Sequence, residues 1–301
     1  MARVAFLFPG QGAQYVGMGR ALCDSLPAAR QLFADASRTL GYDLLDVCGN
    51  GPAERLNSTA VSQPAIFVAS LAALESLKTT APEGVAGCAA AAGLSLGEYT
   101  ALVFAGSLTF DDGLRLVKRR GEAMQAASEA AAGAMVSVVG LEQPKVEELC
   151  AAAKAKGMVR VANLLCPGNI VVSGEKAACE EVERLAEGAG ARTVRLAVAG
   201  AFHTELMRPA VAALEEVLRQ VEIKPPRLPV WANVTARPHA GPEEIRGLLA
   251  RQVVEPVQWE QTVRNLLADG CDRFYEVGPG RVLAGLLKRV QRKAECHNAG
   301  A

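Results

Sequence analysis

The sequence predicts an α/β fold with a largely parallel sheet, interrupted by a small inserted domain. Three observations carry that expectation. Short apolar runs alternate with helical patterns through most of the 301 residues, as when strands lie side by side under helices. Half of the residues are hydrophobic but only 5% are aromatic, and Ala and Gly are abundant, which favours helices packed closely on a sheet. Between residues 130 and 198 the rhythm changes to strand, helix, strand, strand, helix, strand, a βαββαβ order that is ferredoxin-like.

The elements are expected in the following order. Val4 to Phe8 reads as a buried strand ended by Pro9-Gly10, and Val85 to Ala92 as a second, ended by Gly93. Tyr99 to Ala105 and Asp111 to Ala127 carry helical patterns. In the inserted segment, strands are expected at 134–139, 159–163, 169–173 and 193–198, with helices at 143–154 and 176–187. Helices then follow at 205–220, 243–253 and 281–290, with strands at 229–234 and 273–277, the last closed by Gly278-Pro279-Gly280. The main domain is therefore expected from residues 1–129 and 199–301, and the small domain from 130–198. The length suits that division.

Composition excludes several classes. Lys plus Arg number 32 and so do Asp plus Glu, so no global charge argues for nucleic acid or a membrane surface. The first apolar run, Val4 to Phe8, is too short for a secretory signal. No stretch is expected to approach the roughly 20 predominantly apolar residues of a membrane span; the longest soft stretch, Gly84 to Gly97, stops at Glu98. The eight cysteines lack C-x-x-C spacing and do not cluster with histidine. Reduced thiols in the cytoplasm, with neither disulfides nor a zinc site, are the expectation.

The chemistry centres on Gly93-Leu94-Ser95-Leu96-Gly97, a G-x-S-x-G motif. A small-residue strand runs into it and a helical pattern leaves it, the setting of a nucleophile elbow rather than of a chance Gly/Ser turn. Such an elbow aims the Ser95 hydroxyl at solvent and puts the Leu96 N–H at a helix start, where it can stabilise an oxyanion. A serine needs a general base, and the chain has three histidines. His297 is expected in a polar tail and His239 in a turn-like Arg237-Pro238-His239-Ala240-Gly241-Pro242. His203 lies between a strand and a helix, where α/β folds place their chemistry.

Arg120 falls on the apolar stripe of its helix, with Leu116, Val117, Gly121 and Met124. An inward guanidinium must meet a carboxylate, supplied either by a protein acid or by a ligand. Phe8-Pro9-Gly10-Gln11-Gly12-Ala13-Gln14 is a glycine-rich turn, but Tyr15 stands where a dinucleotide fingerprint needs its third glycine. That turn can instead offer backbone N–H groups to the elbow. Together these residues point to a serine acyl-enzyme and leave hydrolysis and transfer both open.

Seven ordered segments resemble the malonyl-CoA:acyl carrier protein transacylases, and more distantly the acyltransferase domains of polyketide synthases. They are 10–14, 62–66, 93–99, 119–121, 200–203, 256–259 and 276–280, and they span essentially the whole chain. The resemblance implies that Ser95 is the nucleophile, His203 the base and Arg120 the clamp on the malonyl carboxylate. It makes the N–H groups of Gln11 and Leu96 the oxyanion hole, and the backbone carbonyl of Gln252 the group that orients the histidine. Phe202 is the malonyl-type residue that narrows the space for an α-methyl branch. The implied fold is a hydrolase-like α/β domain carrying a ferredoxin-like insert. The implied activity is malonyl transfer from malonyl-CoA to acyl carrier protein in fatty acid biosynthesis, by a cytoplasmic monomer without metal or cofactor. Leu94, Leu165, Asn169 and Glu255 depart from the commoner residues of the family, at positions that bear on acyl selectivity.

Overall fold

The computed structural model describes residues 2–198 and 200–300. The expected domain boundary at 199 lies outside the described residues. Five strands form a parallel sheet: β1 (Val4–Phe8), β2 (Cys88–Gly93), β7 (Val230–Trp231), β8 (Arg273–Val277) and β9 (Glu295–Ala299), in the order β7-β2-β1-β8-β9. The other four form an antiparallel sheet in the order β4-β5-β3-β6, from β3 (Gly133–Val139), β4 (Val159–Cys166), β5 (Asn169–Glu175) and β6 (Arg192–Arg195).

The two-residue period of a strand decides which side chain enters which core. In β1, Val4, Phe6 and Phe8 enter the main core, while Ala5 and Leu7 enter a second core with Trp259, Phe274 and Leu283. In β3, Val136 and Val138 face the helices Gln143–Ala153 and Lys176–Gly188, and Met135 faces the main core. The antiparallel sheet is also tied to the main body by backbone, with the Leu164 N–H donating to the Val257 carbonyl at 2.9 Å and the Val257 N–H to Ala162 at 2.8 Å.

Several expected elements shift. The run from Val85 splits: Pro82–Ala86 turns as a helix and the strand starts at Cys88, because Pro82 at the first helical position and Glu83 beside it favour a helix start. The expected strand 229–234 keeps only Val230–Trp231, since the chain turns back at once and the Ala232 N–H donates to the Arg237 carbonyl. The strand expected at 193–198 ends at Arg195. His297 is not in a loose tail: it sits in β9, paired with β8 at the sheet edge.

The helix Thr59–Thr80 was not legible at all. It is buried on nearly every side, so it lacks the amphipathic period that marks a surface helix. Its length and mean hydropathy of 1.4 suffice to cross a membrane, contrary to the expectation that no stretch approaches that. Yet 78% of its most apolar window is buried inside the protein, so that apolar surface serves the core.

Candidate active site

The carboxyl ends of β1 and β2 meet at the centre of the parallel sheet, where β2 lies to one side of β1 and β8 to the other. A crevice at such a reversal is where parallel sheets hold ligands. From β2 the chain passes through Leu94-Ser95-Leu96 into the helix Gly97–Phe104. Ser95 has φ of 50°, in the left-handed region that a side chain rarely occupies. The turn closes only because both flanking positions lack a Cβ. One on Gly93 would sit 1.9 Å from the Gly97 carbonyl carbon, and one on Gly97 would sit 2.1 Å from the Phe8 oxygen. The strain is held by hydrogen bonds: the Ser95 N–H donates to Asn233 Oδ1 at 2.6 Å and the Leu94 N–H to the Phe8 carbonyl at 3.0 Å.

His203 also has positive φ, 63°, and its Nε2 lies 3.0 Å from Ser95 Oγ. Its Nδ1 lies 2.8 Å from the Gln252 backbone oxygen. A carbonyl can only accept, so the proton sits on Nδ1 and the lone pair on Nε2 faces the serine hydroxyl. The ring is buried. Burial, and then the nearby Arg120 cation, pull its pKa down to about 4. Near neutral pH the imidazole is therefore an empty base.

Arg120 projects from the helix Phe110–Ala130, whose N-terminus is capped by the Thr109 hydroxyl accepting from the Asp112 N–H. The guanidinium is 1% exposed. It donates from Nη1 to Gln63 Oε1 at 2.8 Å, and from Nη2 to Ser95 Oγ at 2.9 Å and Gln252 Oε1 at 3.0 Å. It also lies over the Tyr99 ring, 5.4 Å from the centroid. Its expected carboxylate is not in contact: three neutral oxygens hold the cation, and Nε has no hydrogen-bond partner among the described residues. One serine oxygen thus touches a base and a buried cation together.

A family model described as "Acyl transferase domain" matches residues 5–300. The human mitochondrial malonyl-CoA-acyl carrier protein transacylase is 46% identical over 96% of this chain and 77% of its own length. The chain belongs to the acyl transferase family, among the malonyl-CoA:acyl carrier protein transacylases. The Bacillus subtilis malonyl CoA-acyl carrier protein transacylase is 41% identical, covering 97% of this chain and 92% of that one. The crystal structure of an acyl-carrier-protein S-malonyltransferase from Bartonella henselae superposes with a TM-score of 0.95 at 38% identity, covering 99% of this chain and 96% of the other.

In this transacylase Gln11 lies in the turn after β1, its Nε2 donating to Thr59 Oγ1 at 3.3 Å. Neither the Gln11 nor the Leu96 N–H donates to a protein acceptor among the described residues. Phe202 is 5% exposed and packs in the main core beside Gly200. The positions that depart from the commoner family residues are accommodated separately. Leu94 and Leu165 pack against core clusters, Asn169 Oδ1 accepts from the Ser137 hydroxyl at 2.8 Å, and Glu255 pairs with Arg251 at 2.7 Å.

Sequence reasoning gave no role to four residues around Ser95 and Arg120: Gln63, Glu98, Asn233 and His239. Gln63 and Glu98 lie within the resembling segments 62–66 and 93–99, and Asn233 lies just past the carboxyl end of β7. Among the described residues, no group of three or more His, Cys, Asp or Glu is placed to hold a metal ion.

Proposed function

We propose that this transacylase moves the malonyl group of malonyl-CoA to the phosphopantetheine thiol of an acyl carrier protein in fatty acid synthesis, through a malonyl-serine intermediate. The observation that carries the reading is Ser95 Oγ, 3.0 Å from His203 Nε2 and 2.9 Å from Arg120 Nη2. His203 Nε2 takes the hydroxyl proton as Oγ attacks the thioester carbonyl. The tetrahedral oxyanion is received by the N–H groups of Gln11 and Leu96, which donate to no protein acceptor among the described residues. Collapse breaks the C–S bond, and the coenzyme A sulfur leaves with the proton held on His203. The carrier thiol then gives its proton to His203, attacks the serine ester, and Ser95 recovers its proton as the new thioester forms.

Arg120 receives the malonyl carboxylate, its planar donors matching two oxygens at once. A neutral acyl group gives the buried cation nothing in return, which disfavours acetyl transfer. The Gln252 carbonyl keeps His203 in the tautomer that faces Ser95. Phe202, next to His203 in the chain, narrows the room at the α-carbon.

The fold reading is of the same kind: a hydrolase-like domain from 1–129 and 199–301, and a ferredoxin-like small domain at 130–198. It is supported by the elbow and by the strand order β4-β5-β3-β6. We propose that the enzyme works as a monomer, without metal or cofactor, and without membrane or nucleic-acid partners. Four large apolar side chains are exposed among the described residues, the neighbours Tyr15 and Val16 and the separate Val194 and Val282, too few for a broad apolar patch. Eight unpaired cysteines support a reducing compartment such as the cytoplasm.

A steady-state assay of malonyl transfer to holo acyl carrier protein tests the function. Transfer that Ser95→Ala abolishes supports it. Coenzyme A release with hydrolysis instead of transfer contradicts it.

A further inference from the structure

Glu98, one residue past the elbow glycine, is 1% exposed. Its carboxylate accepts three N–H donors. Oε2 takes the Asn233 backbone N–H at 2.9 Å and Gln252 Nε2 at 2.7 Å, and Oε1 takes His239 Nε2 at 2.9 Å. His239 Nδ1 is buried with no partner among the described residues.

Two of the three donor residues reach the serine. Asn233 Oδ1 holds the Ser95 N–H, and Gln252 Nε2 also donates to the Ser95 carbonyl at 3.1 Å. Gln252 Oε1 in turn accepts from Arg120 Nη2. An amide can face either way, and here its two ends are set by charge. With NH2 toward Glu98, the oxygen must face Arg120. Reversed, it would set NH2 against the guanidinium and oxygen against the carboxylate.

We propose that Glu98 is a positioning residue that holds Arg120 ready for an acyl carboxylate by orienting the Gln252 amide between them. The inference rests on the reading of Arg120 as the malonyl clamp. Burial pulls the affinity of Arg120 for its proton down, and Tyr99 and Glu98 oppose that. Burial also pushes the Tyr99 hydroxyl above its usual range, so near neutral pH the phenol is uncharged, and the Glu98 carboxylate reaches the guanidinium through the Gln252 amide. The interposed amide keeps that anion out of hydrogen-bond contact. A Glu98 carboxylate bonded directly to Arg120 would occupy the clamp and compete with malonyl; one amide removed, it stabilises the cation while only neutral oxygens touch the guanidinium.

The test is the kcat and KM for malonyl-CoA and acetyl-CoA, with holo carrier protein, in Glu98→Gln, Gln252→Met and Arg120→Ala. Glu98→Gln is expected to raise the malonyl-CoA KM, and to cut the malonyl-over-acetyl ratio of kcat/KM about tenfold. Gln252→Met removes the amide, keeps the backbone carbonyl, and should lower the same ratio. Equal losses with both thioesters, leaving the ratio unchanged, would mark a merely structural role and overturn the proposal. If Glu98→Gln fails to fold, Gln252→Met decides by the same criterion. The Arg120→Ala arm separates the two claims. If it keeps malonyl preference, the clamp reading itself is wrong; if it loses preference while Glu98→Gln retains it, only the present inference fails.

Discussion

His203 Nδ1 lies 2.8 Å from the backbone carbonyl of Gln252, so a neutral dipole orients the imidazole. A carboxylate in that place would raise the histidine pKa. Here burial and Arg120 lower it instead, to about 4. The base is therefore unprotonated across the neutral range, and proton uptake begins only in acid. Acylation of Ser95 should be nearly flat from about pH 6 to 8 and fall about tenfold per pH unit below about 4. Rapid-quench acylation rates over that range check it. A rate that declines from about pH 7 downward would mean a histidine of ordinary pKa.

The same shift sets a stability window. The folded His203 pKa lies below its unfolded value near 6.5, so between those values the unfolded chain binds more protons. The contribution is whole above about 6.5 and shrinks as pH falls toward 4. Denaturant unfolding at several pH values should show a shallower acid loss in His203→Asn than in the parent.

Arg120→Ala removes a cation held by three neutral oxygens and leaves room where the malonyl carboxylate would bind. Malonyl-CoA should lose at least about 100-fold in kcat/KM, on the order of 3 kcal/mol, while preference moves toward acetyl-CoA. Competition between the two thioesters for the same enzyme reads this directly. Unchanged preference would remove Arg120 from the specificity mechanism.

The elbow glycines predict a sharp contrast. Gly97→Ala places a Cβ 2.1 Å from the Phe8 oxygen, whereas a Cβ at Gly188, the last residue of the helix Lys176–Gly188, meets nothing within 4 Å. The first should destabilise the protein by about 3 kcal/mol or more, or prevent folding. The second should be neutral to stabilising by about 0.5 kcal/mol. Thermal melts of the two variants side by side test the close approach.

The site features legible in the sequence are those whose signal is local. Ser95 announces itself by Gly93 and Gly97, which the turn needs at those positions. Arg120 stood out as a charge on an apolar stripe, and is indeed 1% exposed. Glu98, Asn233 and His239 had no comparable signal, because the contacts that join Glu98 to the other two cross 135 and 141 positions of chain. His239 looked like a turn residue and is a buried partner of Glu98. The strand at Glu295–Ala299 was illegible for a related reason: its sequence lacks apolar alternation, and it becomes a strand by pairing with β8. No protein carboxylate touches Arg120: three neutral oxygens hold it, and the Glu98 carboxylate lies one amide away.

The central claim is that Ser95 carries the malonyl group between two thiols. Intact-protein mass spectrometry after brief exposure to malonyl-CoA, beside acetyl-CoA and a Ser95→Ala control, tests it most directly. The account predicts a malonyl-sized adduct that is absent in the control and disappears when holo acyl carrier protein is added, with the carrier gaining the same mass. An adduct that drains to water while the carrier stays unmodified, or no adduct from either thioester, would contradict it.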